Sequence, residues 1–449
     1  MTSHTRDHPG TVRAGRQRAA VPTVRLEVPD YDQGLRGKLL RADKLAPGKR
    51  AALCTIVYGL SITDEVTDTP LSNARNGYPD AFAVPDENTR VDLYWRENTQ
   101  AVIADMMHAD GRMVDESPRS VCRQLLAGYK QLALQPVFGY EYEVYVTHAD
   151  ELTSGLRALG RTNNAYSLAR LAEAEPLAEE FLARMESVNV PIEAFHSELG
   201  PGFFEFALAP ADALTAADRA ARARQYFREL CAQQGLRATF MAKLHIEHSG
   251  SGGHVHQSLC RNGANVFSGA PGQLSDLGSA YLGGLLDTMG ELTVLFNPFL
   301  NSFKRISAEM FVSPRANWGY DNRNAACRAI LNTGAESARV EHRRPGADAN
   351  PYLVAAGMLA GGLYGLRKGL DPGPPLEPGE KPATGGGALP PDLAAAVSVF
   401  EKSPVAHDLL GTAFVESYTA TRRGELDAFD RWWRGTVTDW ELARYLEHL

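Results

Sequence analysis

Paired cysteines are missing from this sequence, which has five cysteines among 449 residues. They lie far apart in the chain, none belongs to a C-x-x-C motif, and their number is odd; they are Cys54, Cys122, Cys231, Cys260 and Cys327. This usage argues against a disulfide framework. We therefore expect reduced thiols and a cytoplasmic protein.

Long apolar runs and a strong excess of one charge are missing as well. No apolar run approaches the ~20 residues that cross a bilayer, so the sequence predicts no membrane partner. The net charge of −8 gives no electrostatic reason to expect nucleic acid and fits small ligands better. The arginine-rich start lacks the apolar centre of a secretory signal, and residues 1–22 are predicted to be a flexible tail.

The first part of the chain after this tail has strand-like patterning. Residues 23–31 and 51–60 are rich in β-branched and aromatic side chains, which predicts strands. Residues 92–114 are typical of a hairpin that turns at HADGR, and GLRGKLLRADKL is predicted to be a turn and a connection. This region is therefore a small, mostly β unit.

From residue 117 onward the pattern changes to strands that alternate with long helices. The last 58 residues or so are predicted to be helical, with Trp432, Trp433 and Trp440 packing the final helices together. Residues 371–392 are rich in proline and glycine, which indicates a surface loop. The other predicted elements are helices over 117–134, 168–188, 211–234 and 272–295, a strand over 136–148, and two strands within 191–210 joined at Gly-Pro-Gly.

A pair of histidines stands out in GSGGHVHQSL, because the chain has only 12 histidines. His254 and His256 are two residues apart, so in a strand both side chains point to the same face. The glycines before them let a ligand approach the backbone closely. This arrangement suits a metal, a phosphate or both.

Carboxylates recur on the predicted strands. In GYEYEVYV, Glu141 and Glu143 share one face, which is typical either of a solvated strand or of a ligand set. If such acids gathered around one point they would repel one another unless cations lay between them. Oxygen ligands of this kind favour Mg²⁺ or Mn²⁺ over zinc. The further candidates are Glu193, Glu198, Glu205 and Glu341.

Arginines form the second group of candidate site residues. A guanidinium binds a carboxylate or a phosphate through two parallel hydrogen bonds, so arginines near a metal indicate oxyanion substrates. For any single arginine, a surface salt bridge of little energetic value is the alternative. The candidates are Arg305, Arg323, Arg328, Arg339 and Arg343.

The order of these motifs resembles the glutamine synthetase family. The succession runs GYEYEVYV, HSELGPGFFEF, GSGGHVHQSL, NPFLNSFKR, WGYDNRNAACR and RVEHRRPGADANPYL, and it covers nearly the whole chain beyond the tail. The resemblance implies an α+β fold. A small N-terminal β-grasp-like domain (23–116) would precede a larger catalytic domain (117–449), in which helices surround an antiparallel sheet or half-barrel.

The resemblance also implies roles for individual residues. Glu141, His254 and Glu341 match the ligands of one divalent metal, and Glu143, Glu198 and Glu205 match those of a second. The residues that match ATP contacts are Glu193, His256, Ser258, Arg328 and Arg339. Arg305, Arg343 and Gly250 match glutamate contacts, whereas Arg323 matches an arginine that neutralises the transferred phosphoryl group.

The activity implied by the resemblance has two steps. ATP converts the γ-carboxylate of L-glutamate into an acyl phosphate, and an amine then displaces phosphate while water is kept out. The cofactors expected are ATP and Mg²⁺ or Mn²⁺. Family members bind their substrates between the small domain of one subunit and the barrel of the next, so a homo-oligomer is expected, with a dodecamer of two hexamers as its form.

Two departures from the family pattern concern the amine. The flap glutamate that lies six residues after the KR arginine is replaced by Phe311, and Tyr58 and Gly59 stand where the ammonium-binding aspartate is expected. Removing both acids predicts a larger, less charged entrance that suits an organic amine, as in γ-glutamylpolyamine and γ-glutamyl-amide synthetases. Tyr58 and Phe311 are then candidate substrate-binding residues. A glutamine synthetase that uses ammonium and a catalytically silent scaffold protein are the alternatives.

Three further departures concern the other substrates. Phe203 replaces the glutamine usual in the Gly-Pro-Gly turn, and Ser249 replaces an asparagine that often contacts the amino group of glutamate. Glu336 stands where a basic residue is expected near adenine. The changes at Phe203 and Ser249 leave open an acid substrate other than glutamate itself, whereas Glu336 removes an expected adenine contact.

Overall fold

The computed structural model describes residues 21–448 apart from 33, 150–156, 161, 163, 308, 310 and 382. Most of the predicted tail (1–22) therefore lies outside the described residues. Within the described part, no helix combines the length and the apolar character that a bilayer crossing demands.

The first region forms a six-stranded sheet. Its strands are β1 (Thr23–Val28), β2 (Arg36–Arg41), β3 (Ala51–Cys54), β4 (Asp80–Pro85), β5 (Val91–Asp92) and β6 (Thr99–Met107). The order is β2-β1-β6-β4-β3, with β5 also paired to β6. The pair β1–β6 is parallel, and the other pairs are antiparallel.

Two predictions in this region are wrong. The segment GLRGKLLRADKL is not only a connection, because its residues 36–41 form β2 and pair along the whole of β1. As an edge strand, β2 buries little, and Leu39 is 67% exposed, so no alternating pattern marks it. The strand predicted over 51–60 ends at Cys54 and continues as a 3₁₀ helix, Thr55–Tyr58.

The second region is built around a ten-stranded sheet. Its main strand order is β15-β16-β17-β12-β7-β9-β8; β10 and β11 pair with β7, β13 pairs with β12, and β14 and β18 form a separate pair. The strands are β7 (Gln135–His148), β8 (Ile192–Ser197), β9 (Phe203–Leu208), β10 (Ala211–Asp212), β11 (Leu236–Thr239), β12 (Gly253–Arg261), β13 (Ala264–Asn265), β14 (Arg315–Ala316), β15 (Trp318–Tyr320), β16 (Cys327–Ile330), β17 (Arg339–His342) and β18 (Gly387–Ala388).

Helices surround this sheet. They are α1 (Pro118–Gln131), α2 (Leu168–Leu171), α3 (Glu175–Ser187), α4 (Ala213–Gln233), α5 (Asp276–Thr288), α6 (Thr293–Phe296), α7 (Pro351–Lys368), α8 (Leu393–Lys402), α9 (Pro404–Leu410), α10 (Thr412–Arg434) and α11 (Asp439–Tyr445). The α+β architecture expected from the sequence is confirmed. The predicted helix 168–188 is interrupted before α3, whose first turn contains Pro176, and the helix predicted over 272–295 starts at Asp276 and is interrupted around Gly290.

The core of the second region is organised by α7. This helix is buried along almost its entire length, and it packs closely against α5. A Cβ on Gly284 would lie 2.5 Å from the backbone of Gly365, so the two helices can meet only because both positions are glycine.

The tryptophans near the C-terminus differ from their prediction. Trp432, Trp433 and Trp440 are 55%, 44% and 59% exposed, so they do not pack the last helices together.

A buried ionic cluster joins the small sheet to the helices of the second region. The guanidinium of Arg119 on α1 contacts both carboxylate oxygens of Asp218 on α4, at 3.0 and 2.8 Å. It also lies 2.6 Å from Asp105 on β6 and 2.8 Å from Asp86, which follows β4. The hydroxyl of Tyr352 on α7 donates to Asp218 at 2.7 Å. One cluster therefore connects both regions.

We expect Asp218→Asn to lower the free energy of unfolding by about 3 kcal/mol, because it leaves a buried guanidinium short of one charge partner. Asp86 and Asp105 remain, which places the loss at the low end for a broken buried pair. Denaturant unfolding measures the change. Asp430→Asn is the control, since its pair with Arg434 is exposed and we expect a change of at most about 0.5 kcal/mol there. Equal losses in both variants would contradict this account.

Candidate active site

Five neighbouring strands bring the candidate ligands to one face of the large sheet. His254 on β12 lies opposite Glu141 on β7, and His256 lies opposite Glu341 on β17. On the other side of β7, Glu143 lies opposite Glu205 on β9. Residues directly opposite one another share a face, so strand register gathers these side chains from distant parts of the sequence.

The first cluster contains the three residues predicted for one metal. The Nδ1 atom of His254 lies 3.8 Å from Glu141 Oε2 and 3.6 Å from Glu341 Oε1. His256 is closer to Glu141 than His254 is, with its Nε2 atom 2.8 Å from Glu141 Oε1. Ligand atoms of Glu141, His256 and Glu341 all lie within 4.8 Å of one another. The structure therefore brings both histidines of GSGGHVHQSL to the same pair of carboxylates.

The second cluster contains a histidine that the sequence analysis did not identify. Ligand atoms of His196, Glu198 and Glu205 lie within 4.8 Å of one another, and His196 Nε2 is 3.2 Å from Glu198 Oε1. His196 precedes Glu198 by two residues, the same spacing that drew attention to His254 and His256. Glu143 stands opposite Glu205 and accepts a hydrogen bond from the amide of Gly252 at 2.7 Å.

The electrostatics of these clusters fit a bound cation. Burial raises the pKa of Glu205 to about 9, and the negative charges of Glu141, Glu143, Glu198 and Glu341 add to this rise. Burial also opposes the ionisation of Glu341, yet Arg343, His256 and His254 hold its pKa at about 2. A divalent cation would relieve the repulsion that raises the pKa of Glu205. Because the donors are mainly carboxylate oxygens, they fit Mg²⁺ or Mn²⁺.

Four of the candidate arginines contact the first cluster. Arg343 pairs with Glu341, and Arg328 Nη1 lies 3.1 Å from Glu341 Oε2. Arg339 Nε donates to His256 Nδ1 at 3.1 Å, and Arg305 Nη2 lies 3.1 Å from His254 Nε2. The fifth, Arg323, lies exposed in the turn between β15 and β16.

Arg305 is enclosed by a glycine-rich backbone. It is 2% exposed, and its Nη1 atom donates to the carbonyl of Arg344 at 3.1 Å. A Cβ on Gly250 would lie 2.6 Å from Arg305 Cγ, and a Cβ on Gly252 would lie 2.9 Å from Arg305 Nη2. Burial lowers the pKa of Arg305 to about 10, so it stays protonated at neutral pH. The small residues of GSGG therefore make room for this arginine.

A cavity of about 460 Å³ opens beside the first cluster. This volume is in the range of small-molecule sites. Four of the five residues predicted to contact ATP line it, namely Glu193, His256, Ser258 and Arg339, together with Glu141. Cys260 on β12, Asn265 on β13 and Glu336, which precedes β17, also line the cavity. Arg328, the fifth predicted ATP contact, is outside this lining and pairs with Glu341 and Asp321.

The two residues predicted to bind the amine, Tyr58 and Phe311, differ in their exposure to solvent. Tyr58 is fully buried, and its ring lies 5.4 Å from that of Tyr31. Its side chain offers no surface to a substrate, so the prediction that it lines an amine entrance is wrong. Phe311 is 50% exposed and has a φ of +59°, an unusual conformation for a bulky residue. The sequence could not reveal the burial of Tyr58, because it depends on packing from distant elements.

The departures at Phe203 and Ser249 meet at one aromatic contact. Phe203 is 1% exposed and stacks on Tyr145 with the ring centroids 4.1 Å apart. The Tyr145 hydroxyl in turn donates to the carbonyl of Ser249 at 2.9 Å. The Phe203 ring is thus enclosed behind the turn and is connected to the segment before Gly250 through Tyr145.

Comparison with known proteins gives a consistent assignment. Residues 115–445 match the family described as glutamine synthetase, catalytic domain. The chain is 34% identical over 445 residues to a glutamate–isopropylamine ligase of Pseudomonas sp, which covers 95% of each chain. It is 32% identical over 442 residues to a gamma-glutamylethanolamide synthetase of Streptomyces coelicolor, covering 96% of this chain and 93% of that one.

Solved structures extend this likeness to the fold. GmaS without ligand superposes with a TM-score of 0.80 at 27% identity, covering 95% of this chain and 97% of that chain. A complex of GmaS with ADP gives a TM-score of 0.79 at 26% identity, with the same coverage. These matches confirm the resemblance carried by the six ordered motifs, and the chain belongs to the glutamine synthetase family.

Proposed function

We propose that this protein is an ATP-dependent ligase that joins the γ-carboxylate of L-glutamate to an organic amine and forms a γ-glutamyl amide. One observation carries the proposal: two carboxylate–histidine clusters lie side by side on the sheet, next to a cavity that suits a nucleotide. One relative is named a glutamate–isopropylamine ligase and another a gamma-glutamylethanolamide synthetase, and a similar structure is a complex with ADP, which supports this chemistry.

The residues at the cavity would hold the nucleotide. Glu193, His256, Ser258 and Arg339 line it, and Arg328 lies behind Glu341. Two divalent cations, Mg²⁺ or Mn²⁺, held by Glu141, His254 and Glu341 and by Glu143, Glu198 and Glu205, would supply positive charge to the phosphate oxygens. His196, next to Glu198 and Glu205, is an additional candidate for the second set.

The arginines bind the acid and balance the charge that the reaction creates. We assign Arg305, Arg343 and the backbone of Gly250 to the glutamate substrate. Arg323 would neutralise the phosphoryl group as the γ-carboxylate attacks it and ADP leaves, which yields the acyl phosphate. Enclosure of Arg305 by the GSGG backbone excludes water from this side, and the acyl phosphate needs that protection from hydrolysis.

The amine step needs a group that accepts a proton. Burial opposes ionisation of Glu198, but His196 and the amide of Leu199 hold its pKa below the usual value, so it is charged at neutral pH. We assign Glu198 as the group that attracts the amine and takes its proton. Phe311, which is 50% exposed, supplies an aromatic ring instead of an acid, and this favours an amine with an organic substituent.

An amine panel tests the proposed function. The purified enzyme is given ATP, Mg²⁺, glutamate and one of ammonium, isopropylamine, ethanolamine or a polyamine, and ADP and the amide are measured. We expect amide formation with at least one organic amine at a kcat/KM at least tenfold above that with ammonium. Turnover restricted to ammonium would indicate a glutamine synthetase, and no glutamate-dependent ADP release would indicate a silent scaffold.

We also propose a homo-oligomer, with a dodecamer of two hexamers as its form. Apolar side chains at the end of α10 and on α11 are about half exposed, which is unusual for a chain that stays alone; they include Phe429, Trp432, Trp433, Trp440 and Leu442. We expect Trp432→Ala combined with Trp440→Ala to produce smaller particles by mass photometry at unchanged helix content. A particle mass unchanged from the parent chain would contradict a role for these rings in assembly.

The remaining proposals concern domains and location. The division into a small domain (23–116) and a catalytic domain (117–449) is supported by the family match, which begins at residue 115, and by the start of α1 at Pro118. A cytoplasmic location is supported by the five cysteines, all of which are free thiols.

A further inference from the structure

The proline- and glycine-rich segment 373–389 is fastened to the residues that precede the Arg323 turn. We call this segment, apart from residue 382, the strap. Arg315 Nε donates to the carbonyl of Gly385 at 2.7 Å, and Asn317 Nδ2 donates to that of Thr384 at 2.8 Å. The short strands β14 and β18 pair with each other, and the amide of Leu389 donates to the carbonyl of Pro314 at 3.1 Å. The strap therefore follows the chain from residue 314 onward.

The other end of the strap reaches the turn itself. Trp318 Nε1 donates to the carbonyl of Gly373 at 3.1 Å, and the amide of Leu376 donates to the carbonyl of Trp318 at 2.6 Å. Asn322 Nδ2 then donates to the carbonyl of Leu376 at 3.2 Å. A Cβ on Gly319 would lie 2.9 Å from that same oxygen, so the strap backbone can pass this close to residue 319 because it is a glycine.

Asn322 connects the strap to the residue after Arg323. Its Oδ1 atom accepts a hydrogen bond from the amide of Asn324 at 3.0 Å, while its Nδ2 atom contacts the strap. On the other side of the turn, Asp321 has a φ of +45° and is held by Arg328 and by Asn332 at 3.0 Å. The backbone of the turn is thus fixed on both sides of Arg323.

The side chain of Arg323 has no such support. It is exposed, and within the described residues the structure records no hydrogen bond or ion pair for it. The carboxylate of Asp321 is a nearby opposite charge, but it makes no recorded hydrogen bond or ion pair with Arg323. A long side chain without a hydrogen-bonded partner takes its direction mainly from its backbone, and a displacement of about 1 Å in a reacting group can reduce a rate by about 100-fold. The direction of the Arg323 guanidinium therefore depends on the backbone conformation of the turn.

We propose that Asn322 is a positioning residue that uses the strap to aim Arg323 at the transferred phosphoryl group. This inference rests on the proposed function, in which Arg323 acts at that group. It gives the segment 373–389, which the sequence presents only as a surface loop, a role in turnover through Asn322.

Kinetics of Asn322→Ala and Asn322→Asp test the coupling. Asparagine to alanine removes both contacts, whereas aspartate keeps an acceptor for the Asn324 amide and sets an oxygen against the Leu376 carbonyl. We expect kcat to fall about tenfold in both variants, while the dissociation constant of ADP by calorimetry changes less than about twofold, because Asn322 is not part of the cavity wall. A purely structural role would lower the active fraction and leave kcat per active site unchanged, and this result would overturn the proposal.

A double-mutant cycle with Arg323→Ala asks whether Asn322 acts through that arginine. If it does, Asn322→Ala has no further effect on kcat once Arg323 is alanine. Additive losses would overturn the proposal. Asn73→Ala is the control, since Asn73 also accepts from an amide two residues on, at 3.0 Å, and its Nδ2 atom also donates to a backbone carbonyl, that of the nearby Thr69, at 2.8 Å, but in the small domain. We expect its kcat to stay within about twofold.

Hydrogen exchange separates this inference from the proposed function. In Asn322→Ala we expect faster amide exchange in both 321–326 and 373–376, whatever reaction the protein catalyses. Unchanged exchange in either segment would overturn the coupling even if the amine panel succeeds. Faster exchange in both, together with no ligation by the parent protein, would refute the proposed function and leave the strap contact in place.

Discussion

Glu341→Gln is expected to reduce kcat/KM for ligation by about 100-fold or more. Glu341 is 1% exposed, pairs with Arg343 and Arg328, and lies 3.6 Å from His254. Glutamine has the same shape but no charge, so two guanidinium groups lose their shared carboxylate and a proposed cation loses a ligand. The variant removes one charge at the point where nucleotide, cation and glutamate would meet.

The measurements separate loss of chemistry from loss of the fold. Calorimetry of ADP with Mg²⁺ should show weakened binding, while circular dichroism at 25 °C should show the parent spectrum. Breaking a buried pair costs about 3–5 kcal/mol, so we also expect a lower midpoint of thermal unfolding. Glu401→Gln is the control, because its pair with Arg423 is on the surface. Ligation by Glu341→Gln within tenfold of the parent rate would contradict the assignment.

Strand periodicity predicted part of this site. The two-residue spacing of His254 and His256, and of Glu141 and Glu143, indicated shared faces. The glutamates lie on the strand predicted over 136–148, and the histidines lie on β12, as that spacing requires. Periodicity does not say which strands are neighbours, so the pairing of Glu143 with Glu205 came only from the ordered motifs of a family. Neither strand periodicity nor the family motifs identified His196. It has the same two-residue spacing before Glu198, but the motif gives it no role.

The sequence-based prediction for Tyr58 failed because the burial of this residue depends on packing between distant segments. Tyr58 is buried against Tyr31, whose ring also lies 5.9 Å from Phe414 and 5.3 Å from Tyr418 on α10, more than 300 residues away in the chain. No local pattern reports such a contact. Strand β2 was missed for the opposite reason, because an exposed edge strand needs only backbone pairing and leaves no apolar pattern to recognise.

Gly252 is the backbone position where both clusters meet. Its amide donates to Glu143 Oε2 at 2.7 Å, and its carbonyl accepts from the amide of Glu143 at 2.9 Å. A Cβ at this position would lie 2.5 Å from His254 Nε2 and 2.9 Å from Arg305 Nη2. Both contacts are shorter than side chains tolerate, so an alanine must displace a proposed metal ligand, a proposed glutamate contact or the strand itself.

We expect Gly252→Ala to lower kcat/KM by about 100-fold, because a shift of about 1 Å at His254 or Arg305 spoils the reacting geometry. Overpacking should cost about 1–3 kcal/mol of stability, which leaves the protein folded at 25 °C. Gly290→Ala is the matched control: a Cβ there has nothing within 4 Å and the backbone is not left-handed, so activity should stay within twofold. Since the two substitutions add the same methyl group, parental ligation by Gly252→Ala would mean that His254 and Arg305 can move without consequence. Neither could then be part of the reacting geometry.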